Sequence, residues 1–186
     1  GIAKNEVRDD LVEHIDLAAI SLAAAGIKIP EKMQGSDVFA PDFQAHSTVF
    51  AARDRCDETV ERIRSVRTDQ FLYIRNFHPQ RPHLQPNAYK DGKSIVQQLR
   101  ALHADGKLDE LSEKLLFSPT RSAEELYDWK ADPCQVSNLV AEPAHKATLE
   151  QLRARLDQWM SDTHDAGAES EARYDSDMKP YLGRGN

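Results

Sequence analysis

The chain has 186 residues, 40% of them hydrophobic and 30% charged, with a formal net charge of -7. That length holds one domain with a real core, or a core and a small appendage. The acidic balance argues against a general nucleic-acid binder, which needs a basic footprint to neutralise phosphates, and no apolar run approaches the ~20 residues that span a bilayer.

The first residues, GIAKNEVRDD, have no apolar stretch behind a basic start, so no export signal is expected there. DDLVEHIDLAAISLAAAGIKIP then predicts a helix. Leu11, Ile15, Ala18 and Leu22 recur at helical spacing, and Asp9 and Asp10 suit the positive end of the helix dipole. Gly26 suits a left-handed terminal position, and Pro30 prevents resumption. The alanines predict close packing against partners elsewhere in the fold.

After the loop EKMQGSDVFAPDF, Ser47 to Ala52 predict a short apolar strand with a charged exit, Arg53 to Glu58. RIRSVRTDQFLYIRNF predicts a hairpin, with Phe71, Tyr73, Arg75 and Phe77 alternating against Leu72, Ile74 and Asn76. Thr68-Asp69-Gln70 supply the turn, whose type is undecided without glycine. HPQRPHLQPNAYKDG has no period and predicts a long loop. KSIVQQLRALHADG predicts a helix with Ile95, Leu99 and Leu102 on one face, DELSEKLLF a second short helix, and EELYDW a strand. PAHKATLEQLRARLDQWMSDT predicts the longest helix: Leu149, Leu152, Leu156, Trp159 and Met160 share one face, and Pro143 suits the first turn. Residues 166–186 predict a solvated or disordered tail.

The two cysteines, Cys56 and Cys134, have no zinc-ligand spacing. They are either a disulfide or two free, partly buried thiols. Arginines crowd one lysine-free stretch: Arg53, Arg55, Arg62, Arg64, Arg67, Arg75 and Arg81. A guanidinium fork suits sulfate, phosphate or carboxylate. Against that stands the ordinary expectation that Arg62, Arg64, Arg67 and Arg75 line solvated faces and pair with Asp57, Glu58, Glu61 and Asp69. Arg53 and Arg55 stand where a buried strand ends, and His46 just before it. His14 with Asp16, and His78 with His83, are weak metal or anion signals beside ordinary surface roles. There is no G-x-S-x-G elbow, phosphate-binding glycine loop or H-E-x-x-H.

Glu125-Leu126-Tyr127-Asp128, then Asp132-Pro133, then Asn138-Leu139 before a helix, resembles the C-terminal region of the sulfatase family, written E-L-Y-D-L-x-x-D-P-x-E-x-x-N-L. Trp129 replaces the usual Leu, and Gln135-Val136 stand near the usual acidic position. LVEHIDLAAISLAAAGIKIPEKMQG resembles the family helix S-x-I-D-L-x-P-T-L-L-x-x-A-G, with Ala19-Ile20 where Pro-Thr is usual. IRSVRTDQFLYIRNF resembles R-x-V-R-T-x-x-y-K-Y-I, with Leu72 for Lys. The three stand in family order between Asp10 and Thr163.

The resemblance implies an α+β chain that is part of an α/β sulfatase fold: a small antiparallel sheet packed against a C-terminal helix, preceded by a helix and strand of the large domain. It places residues 1–60 at the end of that large domain, 61–165 in the C-terminal subdomain and 166–186 in the tail. Family members hydrolyse sulfate esters or sulfamates with a formylglycine made in C-x-P-x-R or S-x-P-x-R and a calcium ion held by Asp and Asn. Neither cysteine opens such a motif, Ser118 has its proline one position early, and no metal ligands are legible. Formylglycine and calcium are therefore expected in the full-length enzyme and not in this chain, which reads as inactive alone, its partner being the N-terminal catalytic part. Its implied task is to shape the pocket for a sulfated sugar or other sulfate ester. By position and chemistry, Arg53, Asp54, Arg55 and His46 are the candidates for that rim. Full-length members are often periplasmic or secreted. The competing readings are a free-standing module that binds sulfated or other anionic sugars, and a hydrolase working by another mechanism.

Overall fold

A computed structural model describes residues 5, 7–56, 59–167 and 170–178. Among them the strands β1 (Val49–Cys56), β2 (Thr59–Arg67), β3 (Phe71–Asn76) and β4 (Glu124–Asp128) form a four-stranded sheet in chain order. Its pairing is antiparallel. Between β2 and β3, Thr68 bonds Phe71 and Arg62 bonds Phe77. Between β3 and β4, Gln70 bonds Trp129 and Asn76 bonds Ala123. The β2–β3 turn needs no glycine because the Thr68 hydroxyl accepts from the backbone N–H of Phe71 at 2.9 Å and of Gln70 at 3.3 Å.

β1 runs to Cys56, so Arg53, Asp54 and Arg55 lie within the strand rather than in the predicted exit loop. It is an edge strand, where charged side chains are well tolerated and discourage pairing with another chain. The helices are α1 (Asp16–Ala24), α2 (Ala88–Asp91), α3 (Ser94–Ala104), α4 (Glu110–Ser112) running into a π-helical turn (Glu113–Phe117), a 3-10 turn (Pro143–His145) leading into α5 (Lys146–Asp162), and α6 (Glu171–Met178). α6 falls inside the segment read as a solvated or disordered tail; residues 168–169 and 179–186 of that segment lie outside the described residues.

The chain forms two compact units. The first comprises Gly1–Ala51, Ser65–Tyr73 and Leu126–Leu156; the second comprises Ala52–Arg64, Ile74–Glu125 and Asp157–Asn186. Their interiors differ in kind. Among the described residues the buried hydrophobic side chains are Ala19, Val38, Val66, Tyr73, Leu126, Tyr127, Leu149, Leu152 and Leu156, and all lie in the first unit. The second unit buries Thr59, Glu61, Arg64, Asn76, Asn87 and Glu125, all polar or charged.

In the first unit, α5 buries Leu149, Leu152 and Leu156 at helical spacing, as its stripe predicts, while Trp159 and Met160 are half-buried. Phe71 meets His145 edge-on, with ring centroids 5.7 Å apart. The EELYDW segment owes its course to side-chain oxygens. Asp128 accepts from the N–H of Lys130 and Ala131, and Asp132 from those of Val136 and Ser137. Asn138 accepts from Leu126 and Val140. These carboxylates and this amide replace the ladder bonds that an irregular backbone lacks.

α1 departs from its prediction. It begins at Asp16, and its buried residues are Asp16 and Ala19. Ile15 and Leu17 remain 47% and 53% exposed, so the predicted Leu11, Ile15, Ala18, Leu22 face is not the buried one. The helix is apolar nearly all round, which leaves no single face to select. Its end is as expected: Gly26 has φ +69°, and the N–H of Ile27 bonds the carbonyl of Leu22. Gly35 passes so close that a Cβ there would lie 2.1 Å from the carbonyl oxygen of Ile15.

Candidate substrate-facing residues and a buried polar network

The four candidate rim residues divide between the units. In the first, His46 forms an isolated antiparallel bridge with Leu11 and sets its Nε2 3.2 Å from Oδ2 of the fully buried Asp16. Asp16 also accepts from the N–H of Glu13 and Ser36, both at 2.8 Å. Its carboxylate thereby ties the entry to α1 to the loop around Gly35, and His46 braces that tie.

In the second unit, Arg53, Asp54 and Arg55 follow one another along β1. Asp54 is occupied by Arg64, whose Nη1 donates to it at 2.8 Å and whose Nη2 donates at 3.2 Å. The backbone carbonyl of Arg53 accepts a further bond from Arg64 at 3.3 Å. The Arg53 side chain is exposed, and its positive field reaches Glu61. Arg55 is half-buried and engaged. An exposed guanidinium on an edge strand can meet an anion; Asp54 can reach one only through Arg64.

The remaining arginines correct the expectation of solvated faces. Arg64 is buried between Asp54 and Asp165. Those bonds, Asp165's foremost, outweigh burial and hold the guanidinium charged more firmly than usual. Arg62 and Arg67 stack on the rings of Phe77 and Trp129 at 4.2 and 4.0 Å. Arg75 pairs with Asp157, Glu61 with Arg121, and Asp69 with Lys130. The other expected partners, Asp57 and Glu58, lie outside the described residues.

Glu61 and Arg121 are the heart of a second network. Their side chains are 1% and 3% exposed, and Gln85 donates to Glu61 at 2.6 Å. Burial alone would raise the Glu61 pKa; the hydrogen bond and charge of Arg121 reverse this and hold it below the usual carboxylate range. Nearby, Asn76 donates to Glu125 and to the carbonyl of Ser122, and Arg81 donates to the carbonyl of Val60. Thr59 donates to the carbonyl of Pro86. The proline-rich segment from His78 to Pro86 is thus fastened to the sheet by polar bonds. Sequence reasoning named Glu61 only as a partner for the neighbouring arginines and missed Arg121, Glu125 and Asp165, because buried polar contacts between distant segments leave no periodic signal.

Cys56 and Cys134 are both free and both exposed, not partly buried. Among the described residues, no three His, Cys, Asp or Glu side chains stand together in a way that could hold a metal ion. No described helix is long and apolar enough to cross a membrane.

No family model matches the chain. It is 35% identical over 153 residues, 81% of its length, to the Ulvan-active sulfatase of Formosa agariphila. In fold it is similar to a 2-O GAG sulfatase (TM-score 0.52, 20% identity, 81% of this chain and 25% of that one). It is also similar to a protein solved in complex with its substrate D-glucosamine-2-N,6-O-disulfate (TM-score 0.50, 17% identity, 84% of this chain and 25% of that one). With its antiparallel sheet and helices, the chain has the α+β fold of part of a sulfatase, and it belongs to the sulfatase family, similar to the C-terminal region. It spans about a quarter of the length of the curated relative it matches.

Proposed function

We propose that this chain is the C-terminal, substrate-pocket-shaping part of a sulfatase that hydrolyses sulfate esters or sulfamates of a sugar, and that it is inactive alone. The observation that carries this is the state of α1. A helix that is apolar all round belongs in the interior of a larger protein. Here Leu17 in the helix stands 53% exposed, and Val12, Ile15 and Ile27 on the segments flanking it stand 46%, 47% and 56% exposed, all in the first unit. An N-terminal catalytic part, such as the relatives' fourfold greater length allows, is the partner that would cover them.

In this reading the formylglycine nucleophile and calcium belong to that N-terminal part, and this chain supplies surface to the pocket. Arg53 is the residue offered to an anionic group of the substrate, while Asp54 and Arg64 hold the strand beneath it. The substrate class is a sulfated glycan, a reading supported by the names of the relatives above.

The test is hydrolysis of an aryl sulfate and of a sulfated oligosaccharide with calcium present, by the 186-residue chain and by the same chain joined to its upstream sequence. The expected result is turnover only in the longer form. The Arg53→Ala variant of that form is expected to raise KM several-fold with kcat little changed, as for lost uniform binding. Turnover by the short chain, abolished by Arg53→Ala, would refute the proposal.

A further inference from the structure

A pocket of about 230 Å³ in the first unit is lined by Ser47, Thr68, Asp69, Phe71, Thr148, Gln151 and Leu152. Three segments build it: the residues entering β1, the β2–β3 turn and the first turns of α5. The turn is held by the Thr68 hydroxyl and by the bonds from Trp129 to Gln70 and to the carbonyl of Thr68. The Arg155 guanidinium reaches from α5 to Thr48, beside Ser47, at 3.1 Å. The walls are therefore set before any ligand arrives.

Its chemistry is mixed in a particular way. Phe71 and Leu152 supply an apolar floor. The Ser47 and Thr148 hydroxyls and the Gln151 amide make no hydrogen bond among the described residues, and each can both donate and accept. Asp69 adds a carboxylate that is 84% exposed, with Lys130 3.7 Å away. Hydroxyls, an amide and a carboxylate around an apolar floor complement a ring that carries hydroxyls at its edge and C–H groups on its face. Asp69 is the sole ionisable group among the lining residues, so the lining itself offers no cation to a sulfate, phosphate or carboxylate. The volume falls below the ~300 Å³ at which pockets for drug-sized ligands begin, leaving room for one ring.

We propose that this pocket is a subsite for a neutral sugar ring, formed where Ser47, Thr148 and Gln151 converge beside Phe71. It deepens the reading above, and rests on it for the expectation that the natural ligand is a glycan: an unsulfated residue of that glycan would sit here.

The test is calorimetric titration of the full native protein with xylotriose and maltotriose, and with glucose 6-sulfate as the charged counterpart. Gln151→Leu and Thr148→Val are the variants, and their melting curves serve as folding controls. Both side chains are at least partly exposed, so both variants are expected to melt like the parent. One neutral trisaccharide should bind at millimolar concentration, and each variant should weaken it about two- to tenfold, the worth of one hydrogen bond. No binding of either trisaccharide would overturn the proposal, as would binding indifferent to both variants. Preferential binding of glucose 6-sulfate that the same variants abolish would overturn it too. Because the readout is binding and not turnover, failure of the sulfatase reading would appear in the hydrolysis assay and leave this titration interpretable.

Discussion

The guanidinium of Arg64 grips Asp165, 101 positions further along the chain, with Nε and Nη2 donating to the two carboxylate oxygens at 2.6 and 2.8 Å. The same Arg64 holds Asp54 on the neighbouring strand. One buried cation thus ties β1, β2 and the segment after α5 together, in a unit whose buried residues are otherwise polar. Removing one partner from such a pair leaves an uncompensated charge. Arg64→Ala would strand Asp165, whose side chain is only 10% exposed, and is expected to cost about 3–5 kcal/mol in a denaturant melt. A loss under about 1 kcal/mol would show that Asp165 finds water or another partner.

The pH dependence has a definite sign. Arg64 hydrogen bonds outweigh burial to hold Asp165 below the usual carboxylate range, and Glu61 is likewise depressed, with Arg121 overcoming burial. A carboxylate whose folded pKa lies below its unfolded value contributes stability that is complete above the unfolded pKa, near 4, and is lost as pH falls through the folded one. The urea midpoint should therefore be flat from these groups above about pH 5 and fall steadily below pH 4. Asp165→Asn should flatten part of that fall. An unaltered acid limb in the variant would count against the coupling.

The Glu61–Arg121 pair separates two effects. Glu61→Leu alone leaves Arg121 buried and unpaired and should cost about 3–5 kcal/mol. Glu61→Leu with Arg121→Met removes both charges and should recover much of that loss. Urea melts of the single and double variants measure the coupling. Additive losses would mean that the pair does not act as a unit.

Asn138 carries the turn that leads from β4 towards α5. Its Oδ1 accepts from Leu126 at 3.0 Å and from Val140 at 3.1 Å. Asn138→Ala leaves two backbone donors to find new partners and should cost about 1–3 kcal/mol. Asn138→Asp keeps the acceptor and should cost less. Equal melting temperatures for the two variants would remove the hydrogen bonds from the account.

Core packing in the first unit predicts a graded response along α5. Leu156 is fully buried, whereas Trp159 is half-buried. Leu156→Ala is expected to cost about 2–5 kcal/mol. Trp159→Ala should cost less than its size alone would suggest, because part of the ring stays in water. A larger loss at Trp159, measured in parallel melts, would mean that the helix docks chiefly through its last turn.

The hairpin, the EELYDW strand and the α5 stripe were all legible because each rests on local rules. Period-two alternation, period-3.6 leucines and a terminal glycine are properties of neighbouring residues. Family membership was legible for a related reason: Asp128, Asp132 and Asn138 satisfy backbone groups a few residues away, so their spacing along the chain is itself the structural requirement. The length of β1 was not legible, since its charged half reads as loop until β2 is placed beside it. The start and buried face of α1 were misread because nearly every side of that helix is apolar, so periodicity carries little information there.

By itself the sequence determined the α+β class, the hairpin, the EELYDW strand, the α5 stripe and the family, since these depend on short-range spacing. Only the tertiary structure decided which charges are buried and with whom. That Arg64 meets Asp165, that Glu61 meets Arg121, and that Asp16 ties His46 to the loop at Gly35 depends on segments distant in sequence. An ion pair is stabilised by proximity in space, and a linear chain of residues records no distances between its far parts.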